Sequence, residues 1–188
     1  VKESILTDEQ ELIRLARTLD KTTLTAIFDA YYRPLYRYIY YHIGNRAAAE
    51  DLAAEVFTRL LEQIQAGRGP ERYLKAWLYR VAHNLAVDEL RKRAHRDHDE
   101  LDENLAASGR SVSELAHLAV QEQHARVALA QLAPRQRAVV ILKFLEGLDN
   151  DDIAQIMGLS VSAVKSLQHR GLAAMRRHLN RLGVEIEG

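Results

Sequence analysis

One segment of this 188-residue chain narrows the possible folds more than any other: DNDDIAQIMGLSVSAVKSLQH, Asp149–His169. Ala154, Gly158 and Val164 stand four and six residues apart. Two helices that cross closely need a small side chain at the crossing, and Ala154 supplies it. The turn between them needs a residue at ease with positive φ, and Gly158 supplies that. The second helix needs an apolar anchor on its inner face, and Val164 fits. Ile153, Met157, Leu159 and Leu167 complete a small core, with Asp149 or Asn150 capping the first helix and Ser160 the second. These are the requirements of a helix-turn-helix, whose second helix enters the major groove N-terminus first. Its outward positions are Val161, Ser162, Lys165, Ser166 and His169. Lys165 can donate to guanine O6 or N7, and Ser160, Ser162 and Ser166 can bond base edges or phosphates. Arg170, Arg176 and Arg177 are placed for phosphate, as are Arg135, Gln136 and Arg137 at the start of an earlier helix.

The rest of the chain carries the same 3.6-residue period. Leu12, Leu15, Ala16 and Leu19 mark a first helix. Thr22 or Thr23 caps a second, which holds Ile27, Phe28, Tyr31, Leu35, Tyr36, Ile39, Tyr40 and Ile43 and ends at Gly44-Asn45. A third runs from Ala47 to Gln65, with Leu52, Val56, Phe57, Leu60 and Ile64 inward and Glu50, Asp51, Glu55, Arg59 and Glu62 outward. Residues 65–71, with Gly67, Gly69 and Pro70, form a loop. A long helix from Tyr73 to Arg93 turns Trp77, Leu78, Val81, Leu85, Val87 and Leu90 inward. Apolar periodicity then lapses over residues 94–111. Ser111 and Glu114 fit a capping box that opens a helix to Gln131, and Pro134 opens another that ends at Gly147. The expected architecture is all-α: a helical domain over residues 1–94, an acidic linker over 95–111 and a second helical domain over 112–188.

Charge is segregated along this plan, although the formal net charge is zero. Residues 68–96 carry eight basic residues against three acidic ones; residues 97–122 carry seven acidic residues against Arg110 alone; residues 165–181 carry five basic residues and no acid. Two basic blocks separated by an acidic one predict two polyanion-binding surfaces. The absence of cysteine excludes a disulfide framework, a thiolate-ligated zinc and thiol redox sensing. No run of apolar residues reaches membrane-spanning length, and the polar N-terminal residues do not read as a signal peptide. A cytoplasmic, nucleoid-associated protein is expected.

The helix Tyr73–Arg93 places Arg80, Asn84, Asp88 and Arg91 on one face, with Trp77 and His83 beside it. Asn and Arg can make bidentate bonds to bases, and aromatic rings stack on unpaired ones. The succession AAAEDLAAEVFTRLLEQI, YLKAWLYRVAHNLAVDELRKR and LAPRQRAVVILKFLEGLDNDDIAQIMGLSVSAVKS resembles the extracytoplasmic-function sigma factors over about residues 20–180. The resemblance implies a non-catalytic transcription initiation factor without cofactor or metal. Its first domain, sigma region 2, would bind the clamp of the polymerase β′ subunit and read and melt the −10 element; its second, sigma region 4, would meet the flap of the β subunit and bind the −35 element. Asp51 and Glu55 match the clamp-contacting acids, with Ala54 where the family often has Gln. Trp77, Leu78, Arg80, Asn84, Asp88 and Arg91 match the −10-reading helix, with His83 in place of a common Arg. Residues 65–72 correspond to the loop that holds a flipped base. Val164, Lys165 and Ser166 match the recognition helix, whose next residues, Leu167 and Gln168, depart from the family's Arg-Leu. An anti-sigma factor is an implied partner.

Two rival readings have less support. A two-domain LuxR-type regulator shares the helix-turn-helix but needs a sensor or receiver domain, and residues 1–94 show no strand pattern. A metal-dependent enzyme is suggested by eight histidines. Yet His95 and His98 lie in the charged linker, His117 and His124 are seven residues apart, and no His-Glu-x-x-His motif, phosphate loop or nucleophile elbow occurs.

Overall fold

The computed structural model describes residues 9–99, 123–181 and 183. Within them the chain is helical: α1 Glu9–Arg17, α2 Lys21–Ile43, α3 Arg46–Gln65, α4 Leu74–Asp99, α5 over residues 123–130, α6 Pro134–Val140 continuing as a π-helix over Ile141–Leu145, α7 Asn150–Met157 and α8 Val161–Arg181. The Ser111–Glu114 capping box and the acidic linker from residue 100 onward fall outside the described residues.

The helix starts follow local chemistry. Asp20 caps α2, its Oδ2 accepting from the Thr23 amide at 2.7 Å, so the cap is Asp20 and not Thr22 or Thr23; the carboxylate also reaches the exposed amides with a full charge. Asn45 caps α3 by accepting from the Ala48 amide at 2.9 Å. Pro34 stands inside α2 and removes one helical rung, yet the helix runs on because Leu35, Tyr38 and Ile39 beyond it are fully buried. Gly44, at φ +73°, ends it.

In the first half, α2, α3 and α4 pack together around Ile27, Leu35, Tyr38, Ile39, Ala49, Ala53, Val56, Leu60, Leu78, Ala82 and Ala86. Small residues on α3 and α4 bring the helices close, so the inward stripe differs from the one expected. Leu52, Trp77, Val81, Val87 and Leu90 are only half-buried, while Tyr79, Ala82 and Ala86 lie inside. Leu19 falls beyond the end of α1 at φ +58° and is 43% exposed; Phe28 is 42% exposed, its ring stacked on Tyr32 and tilted against the buried Phe57. The helix expected to stop at Arg93 continues to Asp99: no breaker intervenes, and Arg93 is tied to Glu89 at 2.8 Å and to the Ile43 carbonyl at 3.2 Å.

In the second half, α6 and α8 cross closely at Gly171. A Cβ there would lie 2.8 Å from Val140 Cγ2, which explains a helical residue without a side chain. The helix-turn-helix is α7 and α8, joined at Gly158 with φ +62°. Val164 is fully buried and Ala154 nearly so, while Met157, Leu159 and Leu167 are half-buried around them. The Asp149 side chain caps α7 by accepting from Asp152 N at 2.7 Å, and Ser160 Oγ caps α8 by accepting from Ala163 N at 3.2 Å. The apolar interiors of the two halves join in one continuous cluster.

Candidate nucleic-acid interface

The outward face of α8 presents Ser162, Lys165, Ser166, His169 and Arg170 to solvent, with Ser160 exposed at its start and Arg176 further along. Lys165, Ser166, His169 and Arg170 line a shallow, open depression of about 590 Å³. This face exists because Val164 holds the opposite side of the helix in the core. Gln168, at the position where the motif departs from the family, does not point outward to bases. Its Nε2 donates to Asn150 Oδ1 at 2.6 Å, tying the recognition helix to the start of α7.

On α4, Arg80, Asn84, Asp88 and Arg91 are all exposed along one side. Asp88 and Arg91 form a loose pair at 3.5 Å. Arg80 is exposed but engaged, its Nη2 donating to the Gln155 carbonyl of α7 at 2.6 Å. Trp77 is half-buried against the core. His83 lies inward of this row, with Nδ1 2.8 Å from the Tyr38 hydroxyl. Burial first, and then the Arg135 guanidinium, push its pKa down to about 4, so at neutral pH it is an uncharged packing residue where an arginine would have been a phosphate donor. Next to it His42 is fully buried, with neither ring nitrogen hydrogen-bonded; burial, then His83 and Arg137, push its pKa down to about 3.

The loop before α4 covers residues 66–73 and ends at Tyr73, which has φ +58° and is 55% exposed. Holding a tyrosine in the left-handed region costs energy that only a surrounding structure can maintain, and its carbonyl accepts from Trp77 N at 2.9 Å.

Both rows meet at one cleft of about 1010 Å³. His83, Asn84, Asp88 and Arg91 form one wall, and Arg135, Gln136, Met157 and Arg170 stand on the other. Arg135 is exposed there, whereas Arg137, expected to serve phosphate, turns inward. Its guanidinium donates to the carbonyls of Leu129, Ala130, Leu132 and His42, which explains why a cation is held at a helix start without an acid. On the far side of α3, Asp51 is exposed and Glu55 pairs with Arg59 at 2.9 Å. Among the described residues no three His, Asp or Glu side chains are placed to hold a metal ion, and no helix is long and apolar enough to cross a membrane.

Glu146 was not singled out by the sequence. Its side chain is 2% exposed and receives Arg37 from α2 at 2.8 and 3.0 Å and the Tyr79 hydroxyl from α4 at 2.9 Å. A single acid within the mostly apolar ILKFLEGL, whose other charged residue is Lys143, is the one available signal.

The helical bundle with its basic α4 face, followed by a helix-turn-helix, matches two families: Sigma-70 region 2 over residues 27–96 and Sigma-70, region 4 over residues 124–175. The chain therefore belongs to the extracytoplasmic-function RNA polymerase sigma factors of the sigma-70 family, non-catalytic proteins that act in transcription initiation. It is 31% identical over 182 residues to the ECF RNA polymerase sigma factor SigX of Bacillus subtilis, covering 87% of each chain. It is 30% identical over 182 residues to SigW of the same organism, covering 90% of this chain and 96% of SigW. Against BldN of Streptomyces coelicolor it is 34% identical over 173 residues, spanning 90% of this chain and 65% of BldN. Its fold is shared with the sigma factor RpoE in complex with the anti-sigma factor NepR from Bartonella quintana (TM-score 0.69, 22% identity, 83% of this chain and 96% of that one). It is also shared with CnrH in complex with the cytosolic domain of CnrY (TM-score 0.71, 18% identity, 92% and 97%).

Proposed function

We propose that this sigma factor divides promoter reading between its two helical faces. Exposed Lys165, with Ser160, Ser162, Ser166 and His169 around it, reads base edges of the −35 duplex in the major groove, while Arg135, Arg170 and Arg176 hold phosphates. The α4 row of Arg80, Asn84, Asp88 and Arg91, with Trp77 beside it, takes the −10 element and its opened strand. Unstacking a base costs a few kcal/mol, and a polar row next to an aromatic ring and a loop can offset it. His83, tied to Tyr38, lines the cleft beside this row as an uncharged ring.

The remaining assignments follow the same division. Residues up to about 94 act as the core- and −10-binding domain, residues 95–111 as an acidic link and residues from 112 onward as the −35 domain. Exposed Asp51 and half-exposed Glu55, on the side of α3 away from the core, contact the clamp of β′, and the second domain meets the flap of β. An anti-sigma factor regulates the chain, as the complexes of RpoE with NepR and of CnrH with CnrY suggest. The work is done in the cytoplasm, at the nucleoid.

The observation that carries this reading is the pair of exposed polar rows, each held outward by a buried apolar face of its own helix. Run-off transcription with core RNA polymerase on a fragmented genomic library tests it. The chain should produce discrete start sites that share upstream sequence. Transcription no different from core polymerase alone would overturn it.

A further inference from the structure

The inner side of α8 is fastened at three points that share one helical face. Val164 is fully buried in the core. One turn on, Gln168 is half-buried, and its Nε2 donates to Asn150 Oδ1, on the first residue of α7, at 2.6 Å. Three residues further, Gly171 is buried, and the Cβ it lacks would lie 2.8 Å from Val140 Cγ2 of α6. Spacings of four and three residues keep all three on the same side of the helix. Lys165, Ser166, His169 and Arg170 stand between them in the chain and face solvent.

The three fastenings restrain different motions. The close approach at Gly171 sets how near α8 lies to α6. Burial of Val164 holds the helix down, but apolar attraction has no direction and leaves small rotations cheap. The Gln168–Asn150 bond does have a direction, and it weakens steeply away from its geometry. Its far end is itself fixed: Asp149 caps α7 by accepting from Asp152 N at 2.7 Å, and Leu148 N donates to Leu142 O at 3.0 Å. The bond therefore sets the rotation of α8 about its own axis, at the level of the outward row. A side-chain tip about 5–6 Å from a helix axis moves about 1 Å when the helix turns by about 10°. A hydrogen bond to a base edge tolerates little of that, whereas a cation beside a phosphate tolerates more.

We propose that Gln168, held by Asn150, is a positioning residue for sequence recognition: the bond fixes the rotation of α8 so that Lys165 and the side chains beside it meet base edges, while Gln168 itself touches no base. The proposal rests on the reading of α8 as the −35 helix.

The test uses holoenzyme assembled from the full chain and core polymerase. Binding is measured on a promoter recovered by run-off transcription and on copies with single base changes in the upstream element. Asn150→Ala removes the acceptor, and Gln168→Leu replaces the amide with an apolar side chain. Each should lower the ratio of matched to changed promoter binding about tenfold, the scale of one base contact, and leave the salt slope unaltered. The double variant should lose no more than either single one, because both remove the same bond. Asn150→Asp offers Gln168 an acceptor at the same place and should keep the ratio, even where its added charge weakens every promoter alike. Thermal melts identify the folded variants; should Gln168→Leu fail to fold, Asn150→Ala, at a partly exposed helix start, carries the test. An unchanged ratio in a folded variant overturns the proposal. So does equal weakening on matched and changed promoters, which a merely structural bond would give, and so does a ratio lost in Asn150→Asp as fully as in Asn150→Ala. Lys165→Ala separates this failure from that of the reading beneath it. If Lys165→Ala lowers the ratio and Asn150→Ala does not, α8 reads bases without the brace; if neither lowers it, the −35 reading itself has failed.

Discussion

The two helices proposed to face DNA are built alike and held differently. Both turn a polar row outward by burying an apolar face, Val164 on α8 and Leu78, Ala82 and Ala86 on α4. On α8 the row stands open, with Lys165 and His169 exposed in a shallow depression. On α4 the row is already occupied: Arg80 is bound to Gln155, Asp88 to Arg91, and His83 behind them to Tyr38. A surface that reads intact duplex can be presented ready-made, because the duplex brings its own structure. A surface that captures an unpaired strand would bind polyanions indiscriminately if left open, and the α4 row proposed for that task is partly covered by the protein itself, through Arg80 on the Gln155 carbonyl.

The comparison can be broken most forcefully at the core. Leu78 is fully buried under the α4 row, so Leu78→Ala should cost about 2–5 kcal/mol, read by chemical denaturation. The apolar interior is continuous between the halves, so the fluorescence of the single tryptophan, Trp77, and the far-UV signal should shift together. A shift of Trp77 fluorescence alone would mean that the halves unfold separately.

The next effect sharpens the open row. Lys165→Ala should relax discrimination at one or two base pairs of the upstream element, at about 1–3 kcal/mol in binding to a matched against a mismatched duplex. Equal weakening on both duplexes would make Lys165 a phosphate contact.

A third effect belongs to the occupied side. His42 and His83 have pKa values near 3 and 4 in the folded chain, against 6.5 for free histidine. The groups facing them are Tyr38 from α2 and Arg135 and Arg137 from α6. These bases are neutral when folded, so the unfolded chain binds more protons below pH 6.5. Their contribution is complete above 6.5 and is lost as pH falls towards 4, at about 1.4 kcal/mol per pH unit for each histidine. Thermal melts between pH 7 and 5 should show this decline, and His42→Phe should flatten it. A His42→Phe variant that keeps the parent's full slope would contradict the assignment. The smallest effect is Arg176→Ala, which should weaken all duplexes alike and reduce the salt slope of binding by about one.

The helix-turn-helix was readable in the sequence because its determinants lie within Asp149–His169: a small residue, a left-handed glycine, an apolar anchor and two caps. The α4 row was readable for the same reason, since helical spacing is local. What sits against it was not. Glu146 and Arg37 are 109 residues apart, and nothing in ILKFLEGL announces that its acid is satisfied by another helix bundle. His83 reads as a surface base in a basic helix, and only Tyr38, 45 residues earlier, turns it inward. Arg137 has the sequence signature of a phosphate ligand, but four carbonyls claim it. Leu19 and Phe28 keep the helical period of their neighbours yet fall at a helix end and on an open face, where each stays partly exposed.

The central claim is the division between strand opening on α4 and duplex reading on α8, and permanganate footprinting of promoter complexes tests it most directly. With core polymerase and a promoter identified by run-off, Asn84→Ala should keep occupancy of the upstream element and lose thymine reactivity near the start site. Lys165→Ala should reduce occupancy of duplex promoters but leave reactivity intact on premelted templates. Normal opening by Asn84→Ala, together with loss of activity by Lys165→Ala on premelted templates, would show that the two helices have the opposite roles.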